Sequence, residues 1–459
     1  MTRPNLIWIF GDQHRAQALG FRGDPNVCTP NLDRMAAEGL SFDNALVSTP
    51  LCCPARGSLL TGCYSHHAVE GHEVQLDPAA PTVAHAFQQQ GYNTAWFGKW
   101  HLDGFKESKG RAAFHYVPRE RRGAFDTWIG YENNNSPFDC WVHGHRGSAY
   151  AMEEEKVELQ RLAGYETDSL TDLFIRHLEE RAATPTVFGT PQPFFAALSV
   201  QPPHNPYVAP ERWTAGKSTS RISFRPNVPN IPRIRNRAGI DLAGYYAAIE
   251  CLDWNVGRIF DALERLGLFA NTHVLFFSDH GDMHGSLGQF MKTSPFEESI
   301  RVPLIMGGID RSYGIRRGTT PALCTNVDIA PTSLGLCGLR VPEGMAGRDL
   351  SALRLSAASA GAAQSTSMPD SAYLQLVDPT CHPDSTDRPW RGLVTDDGWK
   401  YVCLEGGQPW LMFNLNEDPY EQANLAHNTA FARRRATMHT RLRKWVEDTQ
   451  DNFEMVESP

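Results

Sequence analysis

The 459-residue sequence has no apolar run approaching the length of a membrane-spanning helix. Its start, MTRPNLIWIFGDQHR, offers five consecutive apolar residues before a glycine and an aspartate. That is too short for the apolar core of a secretory leader, so as it stands the chain is expected to be cytoplasmic. A basic excess is also missing: 43 Lys and Arg face 52 Asp and Glu, a net charge of -9. Nucleic acid and acidic lipid surfaces are therefore not expected partners. There is no cysteine framework. Ten cysteines are scattered at 28, 52, 53, 63, 140, 251, 324, 337, 381 and 403. In a chain of this size they read as mostly free thiols in a reducing compartment. No internal repeat is visible.

What is present is an ordinary globular composition, 41% apolar and 21% charged, long enough for one large α/β domain with an appendage. Short apolar runs recur at 6–12 (LIWIFGD), 93–101 (NTAWFGKWH), 193–204 (PFFAALSVQPPH), 273–282 (HVLFFSDHGD) and 302–308 (VPLIMGG). Each has strand length and is bounded by turn formers. Helical patterns lie between them. In 29–40, Thr29 stands as N-cap, Pro30 at the first position and Gly39 as the stop, and 82–91 and 247–267 also carry helical spacing. The alternation predicts an α/β fold with a large, mostly parallel sheet flanked by helices. Residues 1–352 are expected to form this catalytic unit. Residues 353–369, rich in Ala and Ser, read as a linker or surface excursion. Residues 370–459 read as a small C-terminal antiparallel sheet plus helix.

In parallel sheets chemistry gathers at the carboxyl ends of the strands. Here those ends carry Asp12 and Gln13, Lys99 and His101, His204, and Asp279 with His280. A lone aspartate there is usually a turn residue, but four such strands together are harder to dismiss. Asp12, Asp279 and His280, with Gln13 nearby, would make an oxygen-rich site with one imidazole. That suits Ca²⁺, Mg²⁺ or Mn²⁺ better than a soft ion. Arg56, Lys99 and Lys292 add positive charge, and His101 and His204 add proton carriers. Such a set is what a tetrahedral oxyanion ester requires. The odd member is the pair Cys52–Cys53 in STPLCCPARGSLLTG (48–62). Its spacing fits neither a zinc pair nor a redox pair. An adjacent disulfide would be strained, and two small buried thiols at a strand-to-helix turn are the bland alternative.

With these residues in place, the chain resembles the sulfatase family of the alkaline-phosphatase superfamily over nearly its whole length. The Cys-x-Pro-x-Arg element is CCPAR (52–56), followed by GSLLTG. PNLIWIFGDQ resembles the first metal-binding strand, GKWHL (98–102) the Lys-x-His segment and QPPHNPYVAP (201–210) the Pro-His element. FSDHGDMHGSLGQFMKTSPFEESIRVPLIM (277–306) resembles the second metal strand with its lysine. The resemblance implies that a maturation enzyme oxidises Cys52 to Cα-formylglycine, with Pro54 and Arg56 as recognition context and Cys53 as a bystander. It implies one divalent ion, Ca²⁺ before Mn²⁺ or Mg²⁺, held by Asp12, Asp279, His280, residue 52 and Gln13. The aldehyde hydrate would attack the sulfur of a small-molecule or saccharide sulfate ester. Arg56 and Lys99 would stabilise the hydrate, His101 would take a proton from its second hydroxyl, and His204 and Lys292 would serve the leaving oxygen.

Three departures loosen the claim on sulfate. Gln13 stands where many members carry a second Asp, His280 where many carry Asn, and Ala55 where Ser is commoner. The Gln and His pattern is shared with phosphonate monoester hydrolase relatives and with some sulfatases of small or sugar esters, so phosphonate monoesters or phosphodiesters are the alternative substrates. A catalytically silent binding protein is disfavoured because every reactive position is filled. Gln13 could hydrogen-bond a ligand instead of binding the ion, and Lys292 could be a solvated loop lysine. His66, His67, His72 and His284 are balanced between pocket lining and surface. The aromatic stretch 125–145 is balanced between a substrate loop and a structural one. A homo-oligomer is left open.

Overall fold

The computed structural model describes residues 3–147, 155–183, 192–309, 315–355, 368–380 and 383–456. Ten strands form the main sheet. In chain order they are β1 (Asn5–Gly11), β2 (Leu40–Leu46), β3 (Asn93–Lys99), β4 (Thr127–Tyr131), β5 (Trp141–Arg146), β6 (Glu155–Arg161), β7 (Phe194–Val200), β8 (Thr272–Ser278), β9 (Leu304–Gly308) and β10 (Gly318–Thr325). Their order across the sheet is β10-β2-β9-β8-β1-β7-β3-β4-β5-β6. The central strands β8, β1, β7, β3 and β4 pair in parallel, while β9 and β5 run against their neighbours. The expected α/β class is observed.

The central strands are continuous apolar runs because both faces are covered. Alternate side chains of β1 leave in opposite directions. Leu6, Trp8 and Phe10 join Leu59 and Leu60 of helix α2 (Cys52–Thr61), Phe87 of α3 (Val83–Gln89) and Leu334 of α8 (Ile329–Leu336). Ile7 and Ile9 join Leu32 of α1 (Pro30–Glu38), Phe174 of α4 (Glu166–Ala183) and Val256 of α6 (Pro232–Arg265). Trp8 is locked between Phe195 and Phe277, with ring centroids 4.9 and 5.5 Å away. Two four-residue helices complete this part, α5 (Glu211–Thr214) and α7 (Glu297–Ile300).

A second, four-stranded antiparallel sheet comprises β11 (Ser371–Leu376), β12 (Trp390–Thr395), β13 (Trp399–Leu404) and β14 (Gln408–Asn414), followed by α9 (Ala432–Asp448). One face packs Leu374, Trp390, Val402 and Phe413 against Leu46, Leu51 and Ile300. The other packs Tyr373, Leu393, Tyr401 and Met412 against Met438, Leu442 and Val446 of α9. Most of the Ala/Ser-rich stretch lies outside the described residues. All nine described cysteines are unpaired. Among the described residues no helix is long and apolar enough to cross a membrane. The aromatic stretch 125–145 is largely the β4–β5 hairpin and its connection, and most of its side chains are buried.

Candidate active site

The four strands expected to carry chemistry, β8, β1, β7 and β3, are adjacent, so their carboxyl ends meet along one edge. Asp12 and Gln13 follow β1, Asp279 and His280 follow β8, and Lys99 ends β3. Opposite them α2 begins with Cys52, and all ten residues of that helix are buried. A helix N-terminus turns unpaired N–H groups and the positive end of its dipole toward whatever occupies that position.

Ligand atoms of Asp12, Cys52, Asp279 and His280 lie within 4.8 Å of one another, all buried. The His280 Nδ1–H donates to the Gly281 carbonyl at 3.0 Å, which turns the Nε2 lone pair inward, 3.1 Å from Cys52 Sγ and 3.5 Å from Asp12 Oδ1. Asp279 Oδ1 accepts the backbone N–H groups of Gln13 at 3.1 Å and His280 at 3.0 Å. The outer carboxylate oxygens are taken by cations. Arg56 donates from Nε to Asp279 Oδ2 at 3.0 Å and from Nη2 to Asp12 Oδ2 at 3.2 Å. Its Nη1 donates to the Lys99 carbonyl and to Ser199 Oγ, both at 2.9 Å. Lys99 Nζ lies 2.7 Å from Asp12 Oδ2. Burial raises the Asp12 pKa, but Lys99, His204, Lys292 and Arg56 lower it further, leaving it well below the usual range. Cys52 responds likewise. Burial and Asp12 push its thiol up, and Lys292, Lys99 and His280 pull it to a net lowering.

Lys292 joins this centre to its rim. Its Nζ donates to Cys52 Sγ and Gln13 Oε1, both at 3.0 Å, and to His204 Nε2 at 3.1 Å. The His204 Nδ1–H donates to the Asn205 carbonyl at 2.6 Å, so the ring is the tautomer with its Nε2 lone pair facing Lys292. Burial and Lys292 depress the His204 pKa. Burial lowers that of Lys292, but Cys52 and Asp12 raise it above the ordinary value. The pair holds its proton on the lysine. The Lys292 loop is pinned by the second sheet: Trp390 Nε1–H donates to the Thr293 carbonyl at 3.0 Å, and Thr293 Oγ1 accepts the Thr386 N–H at 2.8 Å. Met291 and Thr293 flank Lys292 with φ of 64° and 76°, a left-handed conformation that a packed surround must sustain.

His101 is 2% exposed and follows Lys99 with φ of 59°. Burial, Lys99 and the neighbouring His72 hold it well below its ordinary pKa. The Gln13 side chain is held at both ends. Its carbonyl accepts from Lys292, and its amide donates to Tyr207 at 3.2 Å and to Asp282. Asp282, Tyr207 and Ser199 are site residues that the sequence reading did not name. Asp282 was within reach, three positions past Asp279 in the same motif. Tyr207 reaches the site because Gly244 of α6 lets the Tyr207 carbonyl approach; a Cβ at 244 would lie 1.8 Å from it. His284 is buried beside Asp282, His66 is held by Gln375 and the Thr449 carbonyl, and His67 is exposed.

A family model described as Sulfatase matches residues 4–339. The chain belongs to the sulfatase family. A second model, N-sulphoglucosamine sulphohydrolase C-terminal, matches residues 285–448. An ulvan-active sulfatase of Formosa agariphila is 33% identical, across 98% of this chain and 83% of its own length. A solved Bacteroides fragilis structure assigned as sulfatase yidJ is 28% identical with a TM-score of 0.83, covering 98% of this sulfatase and 97% of that chain. The phosphonate monoester hydrolase of Agrobacterium radiobacter shares the fold, with a TM-score of 0.72 at 21% identity over 97% and 96% of the two chains. This sulfatase is a sulfuric ester hydrolase.

Proposed function

We propose that this sulfatase hydrolyses a saccharide or other small-molecule sulfate ester, using a formylglycine made from Cys52 and one hard divalent ion, Ca²⁺ before Mn²⁺ or Mg²⁺. The carrying observation is the convergence of Asp12, Cys52, Asp279 and His280 within 4.8 Å at the carboxyl edge. The donor set fits such an ion on one condition. Two carboxylates and one imidazole suit it, whereas the Cys52 sulfur does not, and an oxygen-bearing residue 52 removes the mismatch. Asp12, Asp279 and His280 would hold the ion, with Gln13 at its margin through Lys292. The ion would supply positive charge to the transferring group, and the matured residue 52 would supply the nucleophilic oxygen.

The chain's own residues do the rest. Arg56 and Lys99 fix both carboxylates and add cationic charge where the sulfuryl oxygens gather. Lys292, relayed to His204, holds a proton beside the departing ester oxygen. His101, neutral at ordinary pH, accepts a proton as sulfate leaves. Residues 52–56 are all buried in α2, so the maturation enzyme must reach Cys52 before the chain folds. A saccharide substrate is supported by the ulvan-active relative. Parallel rates on an aryl sulfate and an aryl phosphonate monoester test the reading. A kcat/KM favouring sulfate is expected; a preference for the phosphonate would transfer the same site to the alternative substrate.

A further inference from the structure

The geometry points to a second metal site, made by Cys53, His72 and His101, at which a soft dication such as Zn²⁺ captures His101 and switches turnover off. The inhibitory half rests on the role proposed for His101. Successive residues of a helix point about 100° apart, so the adjacent cysteines at the start of α2 serve different places. Cys52 faces the carboxylates, and Cys53 turns toward His72 and His101. Cys53 Sγ and one ring nitrogen from each histidine lie within 4.8 Å of one another.

Cys53 is fully buried; its sulfur accepts the Glu73 N–H at 3.4 Å and lies 3.9 Å from His72 Nδ1. His101 Nδ1 is buried without a hydrogen-bond partner, which is costly unless something is bound there. The His72 and His101 rings meet edge to face at 5.4 Å, and the Glu73 carboxylate lies 4.0 Å from His72 Nε2, on the far side of the ring from Cys53, where it can orient the imidazole. The His72 side chain is 21% exposed, which gives an ion a way in. One thiolate and two imidazoles form a donor set for Zn²⁺ or Co²⁺, and a poor one for Ca²⁺. The two sites therefore sort ions by ligand chemistry, oxygen on one side of α2 and sulfur with nitrogen on the other. An ion held by the His101 lone pair leaves that ring unable to accept a proton.

Co²⁺ is the probe, added to folded protein already saturated with Ca²⁺. Cys52→Ala protein should give a sulfur-to-cobalt charge-transfer band at one equivalent, and with residue 52 removed Cys53 is the one thiol in the two clusters that can supply it. The band should vanish when Cys53→Ala is added. It should need at least about tenfold more Co²⁺ in His72→Asn, since losing even an outer partner of a ligand costs 10- to 100-fold in affinity. His72 is partly exposed, so that variant tests the site even if Cys53→Ala folds poorly. In the matured enzyme Zn²⁺ should inhibit turnover, and Cys53→Ala and His72→Asn should each raise the inhibitory concentration at least about tenfold. No band, or a band that survives both substitutions, overturns the site. A band that behaves as expected, with turnover indifferent to Zn²⁺, establishes the site and overturns the role given to His101.

Discussion

At the residue scale the site is a division of labour among cations. Arg56 and Lys99 are committed to Asp12 and Asp279, and they fix the anionic centre. Lys292 instead bridges Cys52, Gln13 and His204, so its proton is the one near the rim. A positioned acid is worth about 10² to 10⁴ in rate, and it matters most when the departing alcohol is a poor leaving group. Lys292→Ala should therefore slow an alkyl or sugar sulfate by that range while slowing a nitrophenyl sulfate far less, and His204→Ala, which removes the group the lysine is relayed to, should show the same trend. A plot of rate against leaving-group pKa checks this, and equal losses on both substrates would reduce Lys292 and His204 to binding residues. The chemistry was legible at this scale because Cys52, Arg56, Lys99, His101 and His204 stand in short motifs. Asp282 stood in the same motif as Asp279 and could have been read, whereas Tyr207 could not, because its role is to grip Gln13 and nothing local in its segment announces that contact.

At the scale of elements, the central strands could be read from the sequence because burial on both faces demands unbroken apolar runs. The edges could not. β2 carries Asp43 and Asn44 in mid-strand, where they meet Arg22 and Arg301, so its apolar pattern is interrupted. β6, EKVELQR, has one buried residue and reads as a charged segment. α6 begins fifteen residues before the expected helix, since its first turns are polar and include Gly239 and Gly244. The second sheet was legible, but its service to the site was not: Trp390 holds the loop on which Lys292 stands. Trp390→Phe keeps an aromatic ring, removes one hydrogen bond worth about 1 kcal/mol, and leaves a small void where the second indole ring stood. It should lower kcat several-fold on a sugar sulfate while shifting the melting temperature by only a few degrees. Unchanged kcat with the same loss of stability would separate the sheet from catalysis.

For the whole molecule, pH acts through groups far from the site, in opposite directions. Burial holds His177 at about 3 instead of 6.5, and His143 and His273 also lie at about 3. The unfolded chain binds protons there that the folded chain refuses. Their contribution is complete above pH 6.5 and is lost as pH falls toward 3. Asp253 of α6 accepts the N–H groups of Asn31 and Leu32 in the first turn of α1, at 3.2 and 2.7 Å. Burial raises it from 3.8 to about 6. The folded chain keeps that proton longer, so this contribution is complete below pH 3.8 and is lost as pH rises through 6. His177→Phe should gain stability relative to the native chain as pH falls from 6.5, by at most about 1.4 kcal/mol per unit. Asp253→Asn should gain as pH rises from 4 to 6. Denaturant titrations across this range check both slopes, and parallel curves for variant and native protein would refute them.

Residue 52, and not residue 53, is the proposed matured nucleophile, since Pro54 and Arg56 stand at the family motif's offsets from 52 alone and, of the two cysteines, Cys52 faces the carboxylates. Peptide mass spectrometry of enzyme fractions of graded specific activity tests it most directly. An aldehyde at position 52 is expected, its occupancy rising in proportion to activity, with Cys53 a free thiol throughout. Fully active enzyme carrying an unmodified Cys52 would contradict it.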